Sequence, residues 1–415
     1  MKLKLAVIYG SRTCEHEVSI ISALQAAASA DKNEYDIVYV YIDKKGDWYT
    51  GWRLSDLTLY RNFDPKAATR VIPMGENGKL VLMQHPADKI LPIGHLKRVD
   101  EADVCLTVMH GMNGEDGTLQ GMLEMWGVPY TSAGVLGCAL GMDKIVMKQV
   151  FRANSLPVVD DVWVDRNSWK KDREAVLDKI ENALGYPVYV KPANLGSSIG
   201  ISRANDRGEL THAMEVAVSY DRRILIEKGI TDLMEINCSV LGFDGEAEAS
   251  VTEMPVKWTE FLSFEEKYLR GGSGSKGGTK GGAKSAPAKM GGTKGASSGM
   301  ASLSRQMPAP ISEELTKEVE NIAIAAFNCL DMKGVARVDF LFDKAENKLY
   351  IGEINTIPGS LAYYLWEAKG IKYSALIDKL VEYAFKASAE KNENVFSYTS
   401  TILTGGNGGS KGAKR

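Results

Sequence analysis

The stretch 334–359 constrains this chain more than any other. Two apolar, strand-like runs, 335–342 and 349–354, flank a polar turn at 343–348, which is the pattern of a β-hairpin. Side chains alternate between the two faces of a strand. Arg337 and Asp339 therefore share a face of the first run, and Glu353 and Asn355 share a face of the second. If the strands pair so that these faces coincide, one patch holds two carboxylates, an amide oxygen and a guanidinium. Hard oxygen donors of this kind suit Mg²⁺ held between protein and phosphate oxygens. The arginine beside them suits an anion that gathers charge during a reaction. A surface hairpin with ordinary cross-strand ion pairs would use the same residue types. Acidic residues framed by Val, Phe, Leu and Ile are costly to bury unpaired, which favours the metal site.

With 415 residues the chain has room for two or three domains and an ample core. A net charge of −3 gives no general electrostatic case for nucleic acid or membrane partners. The five cysteines are scattered, with no CxxC pair, which points to reduced thiols in the cytoplasm and away from a disulfide frame or zinc site. The N-terminal apolar run is too short for a signal peptide, and no stretch reaches the length of a transmembrane helix. The expectation is a soluble, cytoplasmic enzyme or binding protein.

In chain order, 3–9 reads as a buried strand, and a turn then leads to Glu15 and a helix with Val18, Ile21, Leu24 and Ala28 on one stripe. Strand, tight turn and helix open an α/β sheet whose ligand crevice lies at the strand's C-terminal end, so Glu15 falls at a ligand edge or simply complements the helix dipole. A second strand is predicted over 35–42, short strands and loops over 44–99, and a buried strand over 103–109 ending at His110. His110 could touch substrate or phosphate, or bond a local carbonyl. A helix over 118–126 and a short strand at 128–130 follow, and 131–141 reads as a loop before a helix that opens at 142–144.

Further on, a strand ends at Lys191 and a small-residue loop, Gly196-Ser197-Ser198, follows. Such a loop lets the backbone point N–H groups at phosphate oxygens, although the GxxxxGK[ST] pattern is absent. The strand 223–226 ends in Glu227-Lys228, an edge that could read an adenine ring. Residues 271–300 are mostly Gly, Ser, Lys, Ala and Thr, with Pro287, Met290 and Met300 but no acid; this flexible segment could bind nucleic acid or acidic lipid, and its place beside Lys267 and Tyr268 favours a lid. A helix over 312–330, capped by Ser312, precedes the hairpin, and one over 374–388 follows it.

Taken in order, EHEVS (15–19), HGMNGEDGTLQG (110–121), MDK (142–144), VKPANLGSSIG (190–200), LIEK (225–228), EKYL (266–269), GVARVDF (334–340) and GEINTIPG (352–359) resemble the D-alanine–D-alanine ligase family of the ATP-grasp superfamily. The resemblance implies an α/β fold of three domains. These are an N-terminal domain with an open, parallel-type sheet (1–144), a central domain (145–234) and a C-terminal domain (235–397), the last two clasping ATP, with a disordered tail at 398–415. It further implies that Lys144, Lys191, Gly196, Ser198 and Lys267 meet the ATP phosphates. Glu227 and Lys228 would meet adenine, and Glu235 the ribose. Asp339, Glu353 and Asn355 would hold two Mg²⁺ ions, with Mn²⁺ as a substitute. Glu15, with Val18 and His110, would bind the first D-alanine. Glu15, Ser197 and Tyr268 would form a closing triad, and Arg337 with the Gly359 N–H would stabilise the tetrahedral intermediate. A cytoplasmic homodimer serving peptidoglycan synthesis, without nucleic acid or membrane partners, completes what the resemblance implies.

One departure touches the second substrate. The family often places a serine five residues past the position of Gly359, where this chain has Tyr364, leaving Ser360 as the expected substitute. Tyr268 favours an amino acid as second substrate. A ligase that takes D-serine or D-lactate, and a non-catalytic ATP-binding regulatory protein, are the alternatives.

Overall fold

A computed structural model of the chain describes residues 2–86, 96–255 and 305–398. Lys267, Tyr268, the segment 271–300 and nearly all of the expected tail lie outside the described residues.

The first sheet begins with Leu3–Gly10 (β1), buried from Leu5 onward, and the chain turns at Glu15 into His16–Ser29 (α1). Strands Tyr35–Ile42 (β2), Trp48–Thr50 (β3), Thr69–Glu76 (β4), Lys79–Gln84 (β5), Arg98–Ala102 (β6) and Val104–Thr107 (β7) complete it in the order β6-β5-β4-β3-β2-β1-β7. Only β1, β2 and β7 run parallel. From β2 outward the pairing is antiparallel, which corrects the expectation of a parallel-type sheet. One of these pairs is set by local chemistry: Asn77 and Gly78, with φ of 52° and 73°, form the two-residue turn that closes the β4–β5 hairpin. The stripe expected on α1 is also too narrow. Ala28 is exposed, whereas Ser19, Ser22, Ala23, Ala26 and Ala27 are buried, because α1 is packed from more than one side.

Thr118–Met125 (α2), Val135–Met142 (α3) and Lys144–Ala153 (α4) follow. The expected strand at 128–130 reduces to a single bridge between Cys105 and Tyr130. The expected loop 131–141 is corrected to α3 over most of its length. Its small residues weaken the helix signal but suit its packing: a Cβ on Gly137 would lie 3.0 Å from the carbonyl oxygens of Leu330 and Asp331.

The second sheet comes from Asp161–Asp165 (β8), Val188–Pro192 (β9), Ser202–Ala204 (β10) and Arg223–Lys228 (β11), in the order β10-β9-β11-β8 and antiparallel throughout. Arg166–Lys171 (α5), Arg173–Leu184 (α6) and Arg207–Tyr220 (α7) connect its strands. Its core is its own, built around Trp169, Ile180, Val190, Leu210, Met214 and Ile224. Three apolar residues, Ile145, Ala193 and Leu225, form a small joint where α4 meets this sheet.

Leu233–Phe243 (β12), Glu246–Pro255 (β13), Arg305–Gln306 (β14), Gly334–Asp343 (β15) and Lys348–Asn355 (β16) form the third sheet, in the order β14-β13-β12-β15-β16. Glu313–Cys329 (α8) packs Val319, Ala323 and Phe327 against Ile236, Val338 and Phe340 of this sheet. After Tyr363–Ala368 (α9), the long helix Tyr373–Asn392 (α10) places Leu376, Leu380 and Val381 among Leu5, Val7, Leu106 and Val335. One core therefore binds the start of the chain to its end. Among the described residues no helix is long and apolar enough to cross a membrane.

Ser312 precedes α8 as read from the sequence, and its Oγ accepts the N–H of Leu315 at 3.1 Å. Ser312→Ala should lower the free energy of unfolding by about 1 kcal/mol, measured by urea titration, while Ser312→Asp keeps it near the parent value.

Candidate active site

The hairpin of β15 and β16 pairs in the register that brings its polar faces together. Asp339 stands opposite Glu353 and Arg337 opposite Asn355, with a bulge just after Asp339. The Arg337 guanidinium grips Asp339 with two parallel bonds, Nε to Oδ1 at 2.6 Å and Nη2 to Oδ2 at 2.7 Å. The Asn355 amide donates to Asp339 Oδ2 at 3.1 Å. Lys144, the first residue of α4, meets Glu353 at 3.0 Å and donates to the Leu195 carbonyl at 2.8 Å. Burial raises the Glu353 carboxyl, but the charges of Lys144 and Lys191 outweigh it and hold it down at about 2. Asp143 makes Lys144's placement firm, capping α4 at the N–H groups of Ile145 and Val146 while ion-paired to Arg223.

Glu15 closes the opposite side. The Ser197 hydroxyl donates to Glu15 Oε1, so the glycine-rich loop and the first turn of the N-terminal sheet touch. Gly196 permits that contact, because a Cβ there would lie 2.8 Å from Glu15 Oε2. Glu15, Glu115, Lys144, Gly196, Glu353 and Asn355 meet around one narrow cavity of about 20 Å³. A larger one, about 310 Å³, borders the same turn and loop at Arg12, Cys14, Lys44, Met112 and Leu195.

Lys191, on β9, lies 2.5 Å from Glu227 Oε2 on the neighbouring strand β11. Burial raises Glu227, yet Lys148 and Lys191 together hold it down at about 2. Burial lowers Lys191, and Glu227, with smaller contributions from Glu353 and Glu235, more than reverses this. Glu235 thus belongs to the same electrostatic neighbourhood. Lys228 is exposed, and Ser198 is half-buried with a left-handed backbone (φ 59°) beside Ser197 (φ 52°).

Both ring nitrogens of His110 are engaged. Its Nδ1–H donates to the Ile357 carbonyl at 2.8 Å. Its Nε2 faces the Ser22 hydroxyl at 2.9 Å, and that hydroxyl oxygen accepts the Ser360 N–H at 2.9 Å. The Ser360 hydroxyl donates to Gln25 Oε1 at 2.7 Å, which ties it to α1. Gly359 opens the turn that Ser360, Leu361 and Ala362 continue with φ near 50°, three left-handed residues in succession. Val18 is buried in α1. Tyr364 is no stand-in for a serine: it is buried, its hydroxyl donates to Glu253 at 3.0 Å, and the Arg305 guanidinium lies 4.0 Å over its ring.

Sequence reasoning passed over two residues. Glu115 accepts the Gly111 N–H at 2.7 Å and the Ile357 N–H at 2.9 Å, clamping the 110–117 loop to the end of β16. Burial, and then the charge of Glu15, push its carboxyl well above the ordinary carboxylate range. Lys148 is wholly buried against Glu227. The available signals were Glu115's place in a polar loop at a strand end, and the four-residue spacing of Lys144 and Lys148 on one helix.

Among the described residues no group of three or more His, Cys, Asp or Glu side chains forms a metal cage. Two carboxylates and an amide oxygen, all hard donors, are instead a partial set. They fit Mg²⁺ that completes its shell with phosphate oxygens and water.

Residues 4–133 match the family model for the D-Ala–D-Ala ligase N-terminus, and residues 150–280 with 296–382 match the model for its C-terminus. The chain belongs to the D-alanine–D-alanine ligase family. A D-alanine–D-alanine ligase of Thermosipho africanus is 36% identical over 404 residues, covering 97% of this chain and 98% of that protein. One from Thermoanaerobacter pseudethanolicus is 40% identical, covering 94% and 98%. Among solved structures, the D-alanine–D-alanine ligase of Coxiella burnetii superimposes with a TM-score of 0.73 at 27% identity, covering 94% of this chain and 96% of that one. A D-Ala:D-Ser ligase from Enterococcus faecalis follows with a TM-score of 0.71 at 26% identity, covering 92% and 100%. The fold is thus that of the ATP-grasp ligases of this family.

His110 carries a testable consequence in this ligase-family scaffold. Burial, with Arg337 adding to it, lowers its pKa to about 4 against the bond to the Ile357 carbonyl. The unfolded chain therefore takes up the proton first, and His110's contribution is lost as pH falls from 6.5 toward 4. Between pH 7 and pH 5, His110→Gln should lose about 2 kcal/mol less stability than the parent in urea titrations at both pH values.

Proposed function

We propose that this chain is an ATP-dependent ligase that joins two D-alanines through an acyl phosphate, releasing ADP and phosphate, for peptidoglycan synthesis. The observation that carries the reading is the pairing of Asp339 with Glu353 and of Arg337 with Asn355 on one sheet face, with Lys144 and Lys191 converging on the same place. A carboxylate must be activated before an amine can displace its oxygen, and transfer of the γ-phosphoryl group does this at the cost of gathering anionic oxygens. Two Mg²⁺ ions, with Mn²⁺ as a substitute, would be held by Asp339, Glu353 and Asn355 and would screen and orient those oxygens.

The chain's own groups do the rest. Lys144 and Lys191 hold phosphate oxygens, and the backbone of Gly196 to Ser198 covers them. Glu227 and Lys228 take the adenine, and Glu235 the ribose. Glu15 holds the ammonium of the first D-alanine, with Val18 lining that side and His110 fixing the wall. Arg337 and the Gly359 N–H receive the negative charge that develops when the second amine attacks. Lys267 is assigned to the γ-phosphate, and Tyr268 to the triad with Glu15 and Ser197. The Ser197–Glu15 contact helps exclude water, which would hydrolyse the acyl phosphate. The reading divides the chain at 1–144, 145–234 and 235–397, and includes a cytoplasmic homodimer.

A second reading follows from Tyr364. With that side chain committed to Glu253, the contact for the second substrate's carboxylate moves to Ser360 or the turn itself, and D-serine becomes an alternative second substrate. Mass spectrometry of products from an equimolar D-alanine, D-serine and D-lactate pool separates the two. D-alanyl-D-alanine as the main product supports the first.

Glu353→Gln should lower D-alanine-dependent ADP release by at least about 100-fold, with an unchanged circular dichroism spectrum. Activity within a few-fold of the parent would remove the metal assignment.

A further inference from the structure

Lys148 has no part in the scheme above, and its setting asks for one. It lies one helical turn past Lys144 on α4, so both side chains leave the same face. Its side chain has no exposed surface. Its ammonium is ion-paired with Glu227 Oε1, with Asp161 Oδ2 3.8 Å away, and Arg152 engages Asp161 as well. The other Glu227 oxygen, Oε2, belongs to Lys191 at 2.5 Å. Burial lowers the Lys148 pKa, so the site keeps this charge at a cost. Apolar side chains of equal volume often replace a buried ion pair without loss, so stability is a weak reason for it.

The two lysines differ in freedom. Lys148 is walled in, whereas the Lys191 side chain is 16% exposed and is also within electrostatic reach of Glu353 and Glu235. Lys191 is the one assigned to phosphate. When it turns to a phosphate, Glu227 keeps a buried charge and loses the partner on Oε2. Only a cation that stays behind can hold that carboxylate ionised and in place.

We infer that Lys148 is a positioning residue that anchors Glu227 through Oε1, so that Oε2 can exchange Lys191 for the amino group of the adenine ring. This rests on the proposed contact between Glu227 and adenine. An anchored carboxylate accepts a hydrogen bond from an amino group and repels the carbonyl that inosine triphosphate carries at the same ring position. Lys148 therefore governs two things at once: the choice of base, and the release of Lys191 to the phosphates.

The test is steady-state kinetics with ATP and inosine triphosphate at saturating D-alanine, on the full chain, for the parent, Lys148→Met, Glu227→Gln and the double variant. Lys148→Met should raise KM for ATP at least tenfold with a smaller change in kcat, and cut the ATP preference in kcat/KM at least tenfold. Glu227→Gln should cut the same preference. The double variant should bind ATP within twofold of Glu227→Gln, since the Glu227 carboxylate that Lys148 would hold is gone. If Lys148→Met keeps the parent KM and preference while Glu227→Gln loses the preference, the inference fails and the adenine contact stands. If Glu227→Gln keeps the preference, the adenine contact fails and takes the inference with it. Should Lys148→Met not fold, the double variant decides: ATP binding tenfold weaker than in Glu227→Gln overturns the inference.

Discussion

The structure turns on the burial of charge along one edge of the third sheet. Asp339 and Glu353 face each other across β15 and β16, and neither could sit there alone. Each is neutralised by a cation from a different source: Arg337 from the same strand, and Lys144 from the start of α4. Glu227 repeats the arrangement on the second sheet, between Lys148 and Lys191. The groups suited to grip phosphate and those suited to grip metal are therefore held as partners of one another. On the function proposed above, ligand binding would be an exchange of ion pairs within a buried site, without the full cost of stripping isolated charges of water.

The rest of the fold can be understood as what keeps those partners in place. The bulge after Asp339 sets where the hairpin's polar face ends. Asp143 fixes the start of α4, and thereby Lys144, through two backbone N–H groups and an ion pair to Arg223. Glu115 and His110 both grasp Ile357, one at its N–H and one at its carbonyl, so the chain leaving β16 is held on two sides. The left-handed turn at Ser360 to Ala362 persists against its strain because Ser22 and Gln25 of α1 take up the Ser360 backbone and side chain.

Much of this was legible in the sequence, and for identifiable reasons. The hairpin announced itself through alternation, and alternation also fixed which residues share a face. The Ser312 cap and α8 followed from local chemistry. α3 did not, because glycines chosen for close packing against Leu330 and Asp331 look like loop residues until the neighbour is known. The antiparallel half of the first sheet lay inside a stretch of mixed signal, where only the Asn-Gly turn between β4 and β5 marks a hairpin. Glu115 and Lys148 went unread for a different reason: the local signals were weak, and their meaning lies in partners at positions 357 and 227, more than 70 residues away along the chain. Tyr364 was noticed only as a departure, and its engagement with Glu253 and Arg305 emerges from the third dimension alone.

The separate core of the second sheet carries one more consequence. α10 welds the two ends of the chain into a single stiff body, while β8 to β11 hold together around residues that belong to no other cluster. Ile145, Ala193 and Leu225 help to join them, with polar contacts such as Arg223 on Asp143 and Ser197 on Glu15. A swing of that middle unit would part the Ser197–Glu15 contact while leaving both large cores intact.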